Sequence, residues 1–244
     1  MFRSFLLMLS FFSRIPVGRF VEYTEERYRR GVPLFPFVGL ATGVPIALFV
    51  YAIGKIGIAT PLHGLLITIV YLGFSGGIHL DGLADTADGF QSGRDRERIL
   101  EIMKDPRIGS FGVIALILWM AIMVVASPLV KDPLIWLMFP AVGKSIAMFL
   151  AARSPYARPE GGMGKIFMER ANAPIAFLFL FALGAAMYFR ASWTGVAAVI
   201  AAFAAGYLSH KRALRRIGGH TGDTIGSMIE VTQLIFLLVT ASGL

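Results

Sequence analysis

The sequence predicts an all-α fold, a polytopic membrane bundle of about seven transmembrane helices with an N-terminal helix at the membrane surface. Of its 244 residues, 56% are hydrophobic and 16% are charged, whereas a soluble domain has about 25% charged residues. Several stretches approach the roughly 20 apolar residues that cross a bilayer as a helix. Lys and Arg are concentrated in alternate connections between those stretches, which is typical of a membrane protein with a fixed orientation.

Seven apolar segments follow one another along the chain. They cover about 33–53, 60–79, 110–130, 134–152, 172–189, 191–209 and 224–243. The first 13 residues are also apolar but too short to span, so we expect an amphipathic helix lying at the interface. Segments five and six are rich in Ala and Gly, which lets helices pack closely. Because no repeat or linker divides the chain, residues 1–244 are predicted to form a single domain.

The basic residues predict the orientation. The N-terminal region holds six Lys or Arg, and the loops after segments two, four and six hold five, four and four. The opposite side carries only Lys55, Lys131 and Arg190. This bias places the N-terminus and the basic loops in the cytoplasm. It predicts a multi-pass protein of the cytoplasmic (inner) membrane of a bacterium or archaeon, and it explains the net charge of +8 without a nucleic-acid partner.

The stretch HLDGLADTADG, residues 79–89, concentrates scarce carboxylates in one place. Asp81, Asp85 and Asp88 are spaced i, i+4, i+7, so a helix presents all three on one face. Unpaired acids at this spacing repel one another, and a divalent cation would remove the repulsion. The chain has no cysteine, and oxygen ligands favour Mg²⁺. We therefore predict that the three aspartates bind Mg²⁺. His79 is a candidate base or hydrogen-bond donor, or equally an ordinary polar anchor.

A second polar stretch, GGHTGDTIG at 218–226, opens the last apolar segment. Thr221, Gly222, Asp223 and Thr224 fall where a helix begins, and the free N–H groups of a helix start favour phosphate. The alternative is a plain helix cap. The adjoining loops supply cations that could neutralise a polyphosphate through charge-assisted hydrogen bonds, although fixing the topology would explain many of them equally well. The leading candidates for phosphate contact are Arg94, Lys104, Arg107, Arg153 and Arg158.

Several motifs together resemble the cobalamin synthase family, the adenosylcobinamide-GDP ribazoletransferases. They are SRIPVG, LFPFVG, HLDGLADTADGF, RILEIMKDPRIGSFG, YARPEGGMGKIF and GGHTGDTIGSMIE, which occur in the same order from about residue 4 to residue 238. HLDGLADTADGF and GGHTGDTIGSMIE are the specific ones, and the others alone would be weak.

The resemblance implies an Mg²⁺-dependent membrane transferase of the last steps of cobalamin biosynthesis. Such enzymes join adenosylcobinamide-GDP to α-ribazole or its 5′-phosphate, forming adenosylcobalamin or its phosphate and releasing GMP. The family's first acidic motif falls on Asp81, Asp85 and Asp88. Its second motif falls on 219–224, and either Asp223 or His220 would accept the hydroxyl proton. Besides the two substrates and the lipid bilayer, a second copy of the chain or other enzymes of nucleotide-loop assembly are candidate partners.

Two other functions compete with this interpretation. The segment DTADG matches the opening of the CDP-alcohol phosphatidyltransferase signature, but Arg94 comes one residue late and the downstream pair of acids is missing. An ion-coupled transporter is the other alternative, because Lys144 and Glu230 are charged residues inside apolar segments. Most of the acids nevertheless cluster at one predicted face, which favours catalysis on a cytoplasmic substrate.

Overall fold

The computed structural model describes residues 1–56 and 60–243. In this part of the chain the structure is helical and contains no strand, so the predicted all-α class is confirmed. The helices are α1 (Phe2–Phe11), α2 (Glu25–Gly31), α3 (Phe35–Ile53), α4 (Thr60–Ser75), α5 (Ile78–Gln91), α6 (Arg96–Ile102), α7 (Ser110–Ala126), α8 (Pro133–Ala151), α9 (Met163–Arg170), α10 (Ala173–Ile217) and α11 (Gly222–Ser242).

Within the described ranges, five helices are long and apolar enough to cross a membrane, or six when the bent pair α4 and α5 is counted as one span. The predicted number of seven stays a prediction. Much of the difference lies in α10, whose 45 residues would measure roughly 67 Å if straight, far more than the ~30 Å hydrocarbon core. The helix is interrupted at Ala191 and Ser192, which leave helical geometry. This break lies at the predicted boundary between segments five and six.

The second predicted segment, 60–79, does not continue as one helix. It ends at Ser75, and the chain turns by 97° into α5. Gly76 and Gly77 form the turn with φ values of +72° and +67°, a left-handed conformation that glycine adopts without steric cost. The bend carries the aspartates of α5 away from the axis of α4.

The centre of the bundle is α8, which is buried along most of its length. It packs most extensively against α3, where Gly39 and Gly43 lie one helical turn apart. A Cβ at Gly39 would collide with the backbone of Ala141, and one at Gly43 with the backbone of Leu137. The small residues therefore allow two apolar helices to approach closely, which is how helices associate in the absence of a hydrophobic driving force.

The two ends of the bundle differ in charge, as the sequence predicts. At the start of α8, Asp132 forms an ion pair with Arg190 at the break of α10, with 2.6 Å between Oδ2 and Nη2. Lys55 and Lys131 line a cavity at this same end. The other end of α8 leads into the loop that carries Arg153 and Arg158. Lys55, Lys131 and Arg190 thus lie near the start of α8, whereas Arg153 and Arg158 follow its other end.

Candidate active site

The two polar stretches meet where α5 crosses the first turn of α11. A Cβ at Gly82 would lie 2.6 Å from the carbonyl oxygen of Asp223, and a Cβ at Gly226 would lie 3.3 Å from the Cα of His79. Glycine at both positions lets the two backbones touch. Residues 141 positions apart in sequence, Gly82 and Asp223, are thereby placed side by side.

Asp81 and Asp85 project from this crossing with no hydrogen bond or ion pair to any described residue. Asp81 is exposed and Asp85 is partly buried. Asp85 is repelled by three neighbouring carboxylates, those of Asp81, Asp88 and Asp223, and attracted by Arg158. Because like charges are costly where water is partly excluded, this arrangement favours a cation at the site.

Asp88 differs from the other two aspartates because its carboxylate is already used. Oδ2 accepts the N–H of Gly109 at 2.7 Å and Oδ1 accepts the N–H of Gly112 at 2.9 Å. These donors belong to the start of α7, which has no side-chain cap of its own, so Asp88 serves as its N-cap. A Cβ at Gly112 would lie 2.5 Å from Oδ2 of Asp88. The cap thus explains why glycine stands there.

Among residues 1–56 and 60–243, no group of three or more His, Asp or Glu side chains converges closely enough to hold one ion. The carboxylate of Asp88 accepts backbone N–H groups at the start of α7, and binding of Mg²⁺ by all three aspartates stays a prediction. Two free carboxylates, those of Asp81 and Asp85, remain available as oxygen ligands.

Arg158 is the predicted phosphate contact that the structure brings to the acids. Its Nη2 donates to Oδ2 of Asp223 at 2.7 Å. A short pairing of two loops places it there: Ala157 donates its N–H to the carbonyl of His220, and His220 donates to the carbonyl of Pro155. The loop after α8 is thus fixed to the residues preceding α11.

The start of α11 is closed by a capping box. Thr221 Oγ1 accepts the N–H of Thr224, and Thr224 Oγ1 accepts the N–H of Thr221. This is the helix cap that the sequence left open as the alternative to phosphate binding, and it occupies both hydroxyls. Gly222 and Asp223 line one cavity and Thr224 lines another. Phosphate contact by Thr221, Gly222 or Thr224 stays a prediction.

His220 is fully buried, and both of its ring nitrogens have partners. Nε2 lies 3.0 Å from Nδ1 of His210, and Nδ1 lies 3.0 Å from Oγ1 of Thr224. Burial lowers the pKa of His220 to about 3, with a smaller contribution from His210, because a buried imidazolium loses its hydration. The ring therefore stays neutral and holds the loop rather than facing the acids.

The remaining predicted cations lie apart from the acids. Lys104 forms an ion pair with Glu160, and Arg107 forms one with Asp105 at 2.7 Å. The guanidinium of Arg153 lies 4.5 Å from the ring centroid of Phe149. Arg94 is exposed and makes no side-chain contact with a described polar group. Contact of these four residues with phosphate stays a prediction.

A cavity of about 240 Å³ adjoins the acids, and its apolar lining was not predicted. Asp81 and Asp223 line it together with His79, which is buried and stacked against Phe12. Four phenylalanines from three parts of the chain line it: Phe11, Phe12, Phe35 and Phe167. Each of them lies within a quoted motif or beside one, but no local spacing shows that they converge.

A second cavity lies on the other side of Arg158, and the part that Arg96 plays in it was not predicted. Three cations and three acids line it: Arg96, Lys104, Arg158, Glu97, Glu101 and Glu160. Nη2 of Arg96 donates to the carbonyl of Ala157 at 3.2 Å. Arg96 belongs to the same loop as Arg94, and sequence alone gives no reason to prefer one to the other.

Glu230 lies inside the bundle and is surrounded by donors. Its carboxylate accepts from the hydroxyl of Tyr71 at 2.8 Å and from Nε1 of Trp119 at 2.9 Å. Lys144 is near enough to attract it but forms no direct ion pair with it. The saturated carboxylate gives no support to an ion path through this residue.

The family model for cobalamin-5-phosphate synthase matches residues 4–241. The chain belongs to this family. Proteins named adenosylcobinamide-GDP ribazoletransferase are similar to it over nearly their whole length. The one from Alkaliphilus oremlandii (strain OhILAs) is 37% identical over 97% of this chain and 96% of the relative. The one from Shigella boydii serotype 4 (strain Sb227) is 38% identical over 98% and 99%. No solved structure matches the chain.

Membership in the cobalamin-5-phosphate synthase family favours the first interpretation of the sequence over its two competitors. The match includes both the acidic motif of α5 and the start of α11. The partial signature of a CDP-alcohol phosphatidyltransferase covers only residues 85–89 and Arg94. Neither that function nor ion transport is needed to explain why the acidic motif of α5 lies beside the start of α11.

Proposed function

We propose that the chain is an adenosylcobinamide-GDP ribazoletransferase of the bacterial cytoplasmic membrane. It joins adenosylcobinamide-GDP to α-ribazole or its 5′-phosphate, forming adenosylcobalamin or its phosphate and releasing GMP. Family membership and the names of the relatives support this reaction. The observation that carries it is the meeting of two unpaired aspartates with the Arg158–Asp223 pair at one crossing.

The reaction needs a proton acceptor beside the attacking hydroxyl. A ribose hydroxyl of the acceptor attacks the phosphorus bonded to cobinamide, a new P–O bond forms, and the P–O bond to GMP breaks with its electrons. Arg158 occupies Oδ2 of Asp223, while Oδ1 makes no hydrogen bond to a described residue. We assign the proton to Oδ1, since a base must lie within hydrogen-bond reach of the proton it takes. His220 is disfavoured by its two existing partners.

Asp81 and Asp85 fit a role as ligands of Mg²⁺. Magnesium is usually held by one or two carboxylates together with substrate phosphates and water, so two free carboxylates suffice. When bound, the ion would neutralise charge on the pyrophosphate. Arg158 stabilises the charge that develops on the departing phosphate, as a guanidinium does through paired hydrogen bonds. The task of these residues is to align the three reacting oxygens and hold their charges.

The orientation follows from the charge distribution. The candidate site lies at the end of α8 that leads into Arg153 and Arg158, and the basic ends of membrane proteins face the cytoplasm. We therefore propose that the site opens to the cytoplasm. Because the chain has no cysteine, single cysteines at Gln91 and Lys131 can be labelled in intact cells. An impermeant maleimide should modify the Lys131→Cys variant only. Modification of the Gln91→Cys variant alone would show that the protein has the opposite orientation.

The activity is tested with the purified full-length protein in detergent. We expect release of GMP from adenosylcobinamide-GDP only when α-ribazole and Mg²⁺ are both present. EDTA should abolish release, and added Mg²⁺ should restore it. Release that is insensitive to EDTA would contradict the metal role but not the transfer. No product with either acceptor in reconstituted liposomes would contradict the transfer itself.

A further inference from the structure

The cavity beside the acids combines an apolar aromatic wall with an unused polar group. Phe35 and Phe167 meet edge to face with 4.9 Å between ring centroids, and Phe12 meets Phe35 at 4.8 Å. His79 is 5% exposed, and its Nε2 has no hydrogen-bond partner. An unpaired polar atom in an apolar surrounding costs free energy. A ligand that forms a hydrogen bond with Nε2 of His79 would remove this cost.

We propose that this cavity holds the base of the acceptor nucleoside and selects a planar, mostly apolar fused ring. The proposal rests on the proposed function and names which substrate occupies which part of the site. Aromatic side chains favour such a ring through offset or edge contacts. The benzimidazole of α-ribazole has one free ring nitrogen, which can only accept a hydrogen bond. The Nε2–H tautomer of His79 can donate to it.

The size of the cavity distinguishes the acceptor from the donor. Pockets that enclose a whole drug-sized ligand measure about 300–1,000 Å³, and this cavity measures about 240 Å³. It suits one ring system and is too small for a corrinoid. Guanine, the base of the donor, carries more hydrogen-bonding groups than benzimidazole. Most of the cavity wall is apolar, so burying those groups there costs more free energy.

The position of the acids agrees with this assignment. Asp223 and Asp81 line the same cavity. A base held against Phe167 and Phe12 therefore places its attached ribose next to Asp223, the proposed proton acceptor. The phosphates of the donor are then left to Arg158, which lies between this cavity and the charged one lined by Arg96 and Lys104.

The test measures KM for each substrate separately in Phe167→Leu, with Phe236→Leu as the control. Both phenylalanines are almost fully buried, but Phe236 does not line the cavity. Stacking contributes enough binding energy that we expect KM for α-ribazole to rise about tenfold. KM for adenosylcobinamide-GDP and kcat should change less than twofold in Phe167→Leu, and Phe236→Leu should leave both KM values near wild type. Phe12→Leu is the second variant if Phe167→Leu does not fold.

Free 5,6-dimethylbenzimidazole provides an independent probe. We expect it to inhibit wild type competitively against α-ribazole and not against the donor, and to inhibit Phe167→Leu less. A rise in the donor KM, or competition with the donor, would assign the cavity to the donor and overturn the proposal. An unchanged acceptor KM in an active Phe167→Leu enzyme would also overturn it. A wild-type enzyme that releases no GMP would instead overturn the proposed function.

Discussion

The carboxylates on the acidic face of α5 and the carboxylate of Glu230 differ in burial and in hydrogen-bond partners. Glu230 is fully buried and accepts from Tyr71 and Trp119. Asp81 and Asp85 are more accessible but have no described partner. A carboxylate whose donors are supplied by the protein contributes to the folded structure, whereas carboxylates without donors store a repulsion that a ligand can relieve. The difference indicates which of the acids are available for chemistry.

Asp85→Asn tests the unpaired group and should have the largest effect. We expect the turnover rate to fall on the order of 10³-fold, the size seen when one electrostatic group is removed from a reaction centre. The unfolding temperature should not fall, since no protein contact is lost. GMP release and thermal unfolding are measured on the same preparation. Asp95→Asn is the control, because Asn caps α6 as well as Asp does. Near-normal turnover in Asp85→Asn would show that the unpaired carboxylate of Asp85 is not needed for the reaction.

Glu230→Leu tests the saturated group. The change leaves the Trp119 indole without its acceptor, whereas the Tyr71 hydroxyl can still donate to Oε1 of Gln233 at 2.7 Å. An unpaired buried donor costs about 1–3 kcal/mol. We expect a loss of about 1–3 kcal/mol in the free energy of unfolding, measured by denaturant titration in detergent. Glu230→Gln keeps an acceptor and should lose less than half as much. Loss of turnover in a Glu230→Gln protein of normal stability would give this residue a chemical role.

His220 extends the comparison to a saturated imidazole. In the unfolded chain a histidine takes up a proton near pH 6.5, whereas the folded protein resists protonation of His220 until about pH 3. Stability should therefore fall as the pH drops below about 6.5, by about 2 kcal/mol between pH 7 and pH 5. Unfolding temperatures are compared with those of His220→Gln, whose loss over this range should be smaller. Equal pH dependence in the two proteins would show that His220 does not cause the loss of stability at low pH.

Asp88→Ala should have the smallest effect. Removing the cap of α7 should cost about 1 kcal/mol of stability, and Asp88→Asn should lose less because one acceptor remains. Turnover per folded molecule should stay within a few fold of wild type in both variants. If Asp88→Asn instead required much more Mg²⁺ for the same activity, Asp88 would be a metal ligand together with Asp81 and Asp85, as the sequence predicts.

The sequence predicted those features that depend on local pattern. Apolar length predicted the membrane helices, and i, i+4, i+7 spacing placed the acids on one face of α5. The turn at Gly76 and Gly77 was missed because the apolar run continues through it, and apolar length does not report backbone conformation. The cap on Asp88 was also missed, since its donors at Gly109 and Gly112 come from a separate helix.

The candidate site shows the same limit. The two polar motifs could be recognised separately, but nothing in either indicates that Gly82 would touch Asp223 or that Arg158, among five cations, would be the one to reach it. The aromatic cavity combines the end of α1 with α3 and α9, and such convergence is a property of tertiary packing. The residue types of the site could therefore be predicted from the sequence, whereas the contacts between residues distant in sequence could not.

The contact between Gly82 and Asp223 also orders events during biosynthesis. The acidic helix leaves the ribosome more than a hundred residues before the turn that completes its surroundings. Under the proposed function, the nascent chain contains the proposed cation ligands, Asp81 and Asp85, before it contains the proposed proton acceptor, Asp223. We therefore expect a product truncated before residue 222 to be inactive however well the preceding helices are inserted.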